Sequence, residues 1–156
     1  MAGNRLSLQS RRGGVIIFNQ NDRIGPWVIQ KAGGTWTPGR GQTIGWELYG
    51  ELKAGVLVED WNGASCVLHV AGQGKWATTG FLGIVFDYVF NQLNCNCAFG
   101  IVAGSNTECL EFAKHVGFEE VIRLERAHPD GDLVLLRMLK EACRWVSQAH
   151  HPHPIM

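Results

Sequence analysis

A chain of 156 residues has room for one domain with a substantial core and too little for two ordinary ones. Fourteen Lys and Arg balance fourteen Asp and Glu, so neither a general nucleic-acid surface nor an acidic-membrane surface is indicated. Only 18% of residues are charged and 20 are Gly, a composition tilted toward strands and tight turns.

No apolar run approaches the roughly 20 residues of a membrane span, and no apolar stretch follows Arg5 in the manner of a signal peptide. A cytoplasmic protein is therefore expected. The odd number of cysteines, five, agrees with a reducing compartment. Cys95-x-Cys97 lacks the two-residue spacing usual in zinc and redox pairs, so no metal is expected. Cys66, Cys97, Cys109 and Cys143 fall within predicted elements, where free cysteine serves as a small apolar residue.

In chain order, residues 1 to 13 are polar and read as a frayed end, with a first strand over Val15 to Phe18. Ile24, Trp27 and Val28 repeat at helical spacing within Asn19 to Lys31, a short helix interrupted at Gly25-Pro26. Gly33 to Gln42 is a loop rich in Gly, Thr and Pro. Thr43 to Leu52 alternates Ile44, Trp46 and Leu48 with Glu47 and Tyr49, which predicts a half-buried strand. A second strand runs through Lys53 to Trp61, Asn62-Gly63 signals a tight hairpin, and Ala64 to Ala71 is the third strand of a meander.

Lys75 to Asn94 is the longest helical pattern. Phe81, Val85, Tyr88 and Val89 form one face and Leu82, Phe86, Phe90 and Leu93 continue round the side. So wide an apolar arc exceeds what one sheet face can cover, and calls for either a second covering element or a subunit interface, hence an expected homodimer. Ala98 to Ala103 is a short apolar strand. Ser105 and Glu108 stand at capping-box spacing before Leu110, Ala113 and Val116, and Gly117 stops that helix. Phe118 to Leu139 reads as strand, Pro129-Asp130-Gly131-Asp132 turn and strand, followed by a short helix over Glu141 to Gln148. His150, His151 and His153, broken by Pro152 and Pro154, form a tail predicted to be disordered over 150–156, leaving one domain over 1–149.

The run Cys97 to Phe118, a strand followed by Asn106, a helix and Gly117-Phe118, resembles the acyl-CoA-binding half of the GNAT superfamily of N-acetyltransferases. With the closing hairpin, the resemblance covers roughly residues 40 to 145. It is nearest to the branch that acetylates protein N-termini and to short phage-encoded relatives. It implies an α/β fold with a mixed, mostly antiparallel central sheet flanked by helices. It also implies acetyl transfer from acetyl-CoA to a primary amine of a protein or small molecule, without a nucleic-acid or membrane partner. The alternative is a catalytically silent protein of the same fold that binds a partner.

The resemblance also implies site residues. The family's pyrophosphate loop, Gln/Arg-x-x-Gly-x-Gly/Ala, falls on Gln73, Gly74, Lys75, Trp76, Ala77 and Thr78. Gln73 matches, whereas Trp76 and Thr78 occupy the two small-residue positions. Backbone N–H groups at a helix start suit a pyrophosphate, and Lys75 and Thr78 add donors. Leu68 and Val70 lie where the family's sheet splays for pantetheine, with N–H groups near Val70 meeting the thioester oxygen. Between them His69 is either the base that deprotonates the amine or a histidine simply hydrogen-bonded beside the sheet. Asn106 matches the asparagine that contacts the cofactor arm, with helix capping as the other reading. Seven residues on, Ala113 stands where many members carry the Tyr that protonates the leaving thiolate, so Ser105, Cys109 or water must substitute. Glu59 and Asp60, on a meander strand bordering the acceptor side, either attract an ammonium group or simply face water.

Overall fold

The computed structural model describes residues 7–9, 14–73 and 80–146. Their elements in chain order are β1 (Ser7–Gln9), β2 (Gly14–Phe18), α1 (Asn21–Ala32), β3 (Gly41–Leu48), β4 (Glu51–Glu59), β5 (Ser65–Gly72), α2 (Phe81–Asp87), β6 (Cys97–Ala103), α3 (Thr107–Val116), β7 (Glu119–His128) and β8 (Gly131–Leu139). Among the described residues the strands form one sheet in the order β1-β2-β3-β4-β5-β6-β8-β7. Every neighbouring pair is antiparallel except β5 and β6. The mixed, mostly antiparallel sheet with flanking helices is the fold expected from the sequence. Among the described residues no helix is long and apolar enough to cross a membrane.

Alternation along the strands divides the sheet into two faces. Gly55 and Ala71 pair on one face, as do Leu57 and His69, and Leu57 and Ala71 pack against Ile24, Val28 and Ile29 of α1. Val56 and Val70 pair on the other, as do Val58 and Leu68, and this face meets Phe81, Val85, Phe86 and Phe90. Gly45 and Gly55 stand opposite each other beneath α1. A Cβ at Gly55 would lie 2.7 Å from Val28 Cγ2, and one at Gly45 2.8 Å from Ile24 Cδ1. The missing side chains let the helix sit directly on the backbone. That packing keeps α1 continuous through Pro26, where the sequence predicts an interruption. Asn21 fastens its start to β3, accepting from both the N–H and the hydroxyl of buried Thr43 at 2.9 and 2.8 Å.

Turns account for several differences from the sequence reading. The predicted strand Thr43 to Leu52 is broken by Tyr49-Gly50, whose φ values of 52° and 79° make the tight hairpin between β3 and β4. Asn62-Gly63 sits instead in a longer connection, where the Asn62 carboxamide accepts from the N–H groups of Ala64 and Ser65 at 2.9 and 2.8 Å. Within the segment read as frayed, Ser7–Gln9 pairs with β2.

The long helix begins at Phe81, because Gly80 has a left-handed φ of 85°. Residues 75–79 of the predicted helix lie outside the described residues. Past Asp87 it widens into a π turn over Tyr88–Gln92, closed by the Leu93 N–H on the Tyr88 carbonyl. Its wide apolar arc is covered within the chain. Cys143 and Val146 join the same core, and the Trp145 indole donates to the Val116 carbonyl at 2.7 Å, drawing the end of the chain across α2. Of the two expected covers for this helix, the second element within the chain is the one present. The covering segment is a 3-10 turn over Lys140–Ala142, an extended Cys143 and a bend over 144–146, rather than the helix expected over Glu141 to Gln148; residues 147–156, including the predicted tail, lie outside the described residues.

Burial pushes the Cys66 thiol up from its ordinary 9.0, and the neighbouring Cys95 and Cys97 add to the shift. The unfolded thiol ionises above that pH while the folded one keeps its proton. The stabilisation is thus complete below pH 9.0 and declines as pH rises toward the elevated folded value, by about 1.4 kcal/mol per pH unit. Thermal unfolding between about pH 8 and about pH 10 is expected to show this decline. Cys66→Ala should flatten the slope by one thiol's share, and an unchanged slope would refute the assignment.

Candidate active site

The parallel ladder between β5 and β6 is short. It joins Ser65 to Cys97, Cys66 to Ala98 and Val67 to Phe99, and then stops. Beyond it β5 stays with β4 as far as Gly72, and β6 stays with β8 as far as Ala103, so the two halves of the sheet part. Among the described residues, no strand pairs with the edges that then face each other. The opening is a cavity of about 350 Å³ with Leu68, His69 and Val70 on one wall and Gly100, Ile101 and Val102 on the other. Leu82, Val85 and Phe86 of α2 close it on one side of the sheet, joined there by Cys109, Phe112 and Ala113 of α3.

His69 lies on the α1 face, with 21% of its side chain exposed, and its Nε2 is 3.3 Å from Glu59 Oε2. The two are diagonal neighbours, because His69 faces Leu57 and Glu59 lies two residues further along β4. Cross-strand geometry thus pairs the imidazole with a carboxylate that is itself only 13% exposed. Asp60 points away and meets Arg40 at 3.2 Å.

On α3, Asn106 caps the helix by accepting from the Cys109 N–H at 3.1 Å. The expected Ser105–Glu108 capping box does not form: Asn106 takes the cap position, and Ser105 is exposed and absent from the cavity lining. Asn106 does line the cavity, and since the cap uses its carbonyl oxygen, its amide nitrogen keeps its donors. Ala113 also faces the cavity. Beside it is Cys109, whose thiol is pushed up from 9.0 by burial and then by the Glu108 carboxylate, and which therefore carries its proton at neutral pH.

Leu68, His69, Val70 and Asn106, dispersed over nearly forty residues of sequence, thus meet at one opening. Gln73 does not join them. It is exposed at the end of β5, with its N–H on the Lys53 carbonyl at 2.8 Å. Gly74, Lys75, Trp76, Ala77 and Thr78 lie outside the described residues. The sequence reading missed His128, which reaches the cavity from the end of β7; its Nδ1 accepts from the Asp130 N–H at 3.1 Å. A histidine directly before the Pro129 turn was the available signal, but its direction depends on how the hairpin leans.

No family model and no curated protein matches the sequence. Solved structures do match. SpeG, a spermidine N-acetyltransferase from Vibrio cholerae, superposes as one point variant with a TM-score of 0.68 and 14% identity, over 84% of this chain and 96% of its own. Other mutant forms of that spermidine/spermine N-acetyltransferase give 0.66 and 14% over 82% and 95%. A chimera of SpeG with hSSAT gives 0.57 and 19% over 67% and 71%. This is the GNAT fold. At such identities the likeness concerns the path of the chain, and the chemistry must be argued from the side chains. In the GNAT fold of this chain, the opening between β5 and β6 suits a narrow amide-bearing arm. Its walls are mostly apolar and its strand edges, past the three β5–β6 pairs, face no other strand among the described residues, while Asn106 adds side-chain donors.

Proposed function

We propose that the protein is an N-acetyltransferase that moves the acetyl group of acetyl-CoA to a primary amine by direct attack. The observation that carries this reading is the opening beyond Val67 and Phe99, with a histidine-carboxylate pair on one side and a protonated thiol on the other. Leu68, Val70 and Asn106 hold the acyl-CoA arm. The pyrophosphate falls to Gln73 and the loop Gly74, Lys75, Trp76, Ala77 and Thr78. Supplied as co-substrate, acetyl-CoA brings the activated thioester.

His69 takes a proton from the ammonium group, and Glu59 faces the imidazolium this creates. The amine nitrogen bonds to the acetyl carbon as the carbon-sulfur bond breaks, with backbone N–H groups near Val70 meeting the carbonyl oxygen. Cys109, rather than Ser105 or water, gives its proton to the departing thiolate and regains one from the substrate nitrogen. The other proton leaves through His69 to solvent, so the charges balance.

Titration calorimetry with acetyl-CoA, followed by an assay of CoA thiol release with a primary amine, tests the reading. Micromolar binding that weakens in Asn106→Ala is expected. Cys109→Ala should lower kcat by about 10²-fold, within the usual range for a proton-transfer group. Because the thiol is raised, the alkaline decline of wild-type kcat should begin above pH 9.0 and be absent from the variant. If a folded sample shows no binding at millimolar acetyl-CoA, the protein is instead a partner-binding member of the fold.

A further inference from the structure

Resting on the acetyl-transfer reading, we infer that the acceptor is a primary monoamine carried on an uncharged, apolar body. The half of the opening on the α1 face, which the acyl-CoA arm along Leu68, Val70 and Asn106 leaves free, sets this limit. It is lined by His69, Ile101, Leu133 and the end of α1, and among the described residues no Asp, Glu, Lys or Arg lines the cavity. The carboxylate paired with the proposed base is Glu59, 3.3 Å from His69. One carboxylate can accompany one ammonium group through the reaction.

A second positive charge on the same molecule would enter a site without a counter-charge. Charges leave water only where a partner compensates the loss of hydration, and here the neighbouring carboxylates are engaged elsewhere. Glu119 meets Arg137 at 2.7 Å, and Glu120 and Asp132 face Arg123 at 3.1 and 3.6 Å. Asp130 lies 3.9 Å from His128 Nδ1, but with 72% of its side chain exposed its charge is screened by water.

The mouth carries the same preference outward. It lies on the α1 face, where the end of α1 contributes Ala32, Gly33 and Gly34, and where Ile101 and Leu133 complete the rim. Ile101 is 47% exposed although it lines the cavity. Leu124 pairs with Leu133 and Ile122 with Leu135, and both β7 side chains are exposed, so an apolar strip continues from the rim. An acceptor with an apolar body gains by covering this strip, whereas a polyamine would lose hydration there without return.

The test is equilibrium binding of hexylamine, a leucine-initiated dipeptide amide and spermidine, each titrated into the protein with and without bound CoA. Hexylamine or the dipeptide amide should bind about tenfold or more tightly than spermidine. Ile101→Glu should shift the ratio toward spermidine by a similar factor, because it places a second carboxylate at the rim. The two apolar arms distinguish a free amine from a chain N-terminus. Spermidine binding as tightly as the apolar amines, or no amine binding at all, would overturn the inference. An acetyl-CoA titration run alongside reports separately on the acetyl-transfer reading, since amine preference is measured without turnover.

Discussion

His69→Ala is expected to lower kcat for acetyl transfer by about 10² to 10⁴-fold, the range supplied by a positioned proton-transfer group. Acetyl-CoA affinity should stay close to that of the parent. The imidazole lies on the α1 face, while the arm of the co-substrate would run along the backbone of Leu68 and Val70, which the substitution leaves in the ladder with β4. Glu59→Gln keeps the shape of the pair and removes the charge facing the imidazolium, so a smaller loss is expected from it. Added imidazole should restore part of the activity of His69→Ala, since the vacated site opens to solvent on one side. A merely structural histidine would show neither the rescue nor the separation of kcat from cofactor binding. Full activity in His69→Ala would remove it from the mechanism and leave His128 or a water as base.

Phe90→Ala is expected to have the largest effect on stability, about 3–5 kcal/mol. Phe90 is fully buried and stacks on Phe86 with ring centroids 5.9 Å apart and planes 17° from parallel. It lies in the π turn that prolongs α2, where sheet and chain end enclose it together, so collapse of the vacated space is restrained from both sides. For a chain of this length the loss corresponds to a Tm lower by roughly 6–20 °C. Phe90 is absent from the cavity lining, so enough folded protein at low temperature should retain cofactor affinity. Phe86→Ala makes a useful contrast, because Phe86 both stacks on Phe90 and walls the cavity. A loss below about 1 kcal/mol in Phe90→Ala would contradict the buried position of this helix.

Much of the chain is legible residue by residue. Alternation of apolar and polar side chains marks β3, β4 and β5, the apolar run marks β6, and Gly117 marks the end of α3, where its φ is 127°. These signals are local: strand pleating and helix termination depend on neighbouring residues. The errors are local as well. Tyr49-Gly50 adopts the left-handed pair of dihedrals usually supplied by Asn-Gly, while Asn62 spends its carboxamide on the backbone and lengthens its loop. At α3, Ser105 and Asn106 are both good caps, and the geometry of the turn after β6 selects Asn106.

By itself, then, the sequence determined the number and kind of most elements and placed a histidine, an asparagine and a cysteine on three of them. Tertiary structure decided what those side chains do. That β5 and β6 part after three residue pairs follows from each strand holding to its outer partner, a balance of pairings between segments distant along the chain. That the apolar arc of α2 finds a cover within the chain follows from the packing of Cys143 and Val146 into the same core. Glu59 comes to face His69 through the register of two antiparallel strands, and a shift of one residue would carry either side chain to the other face of the sheet.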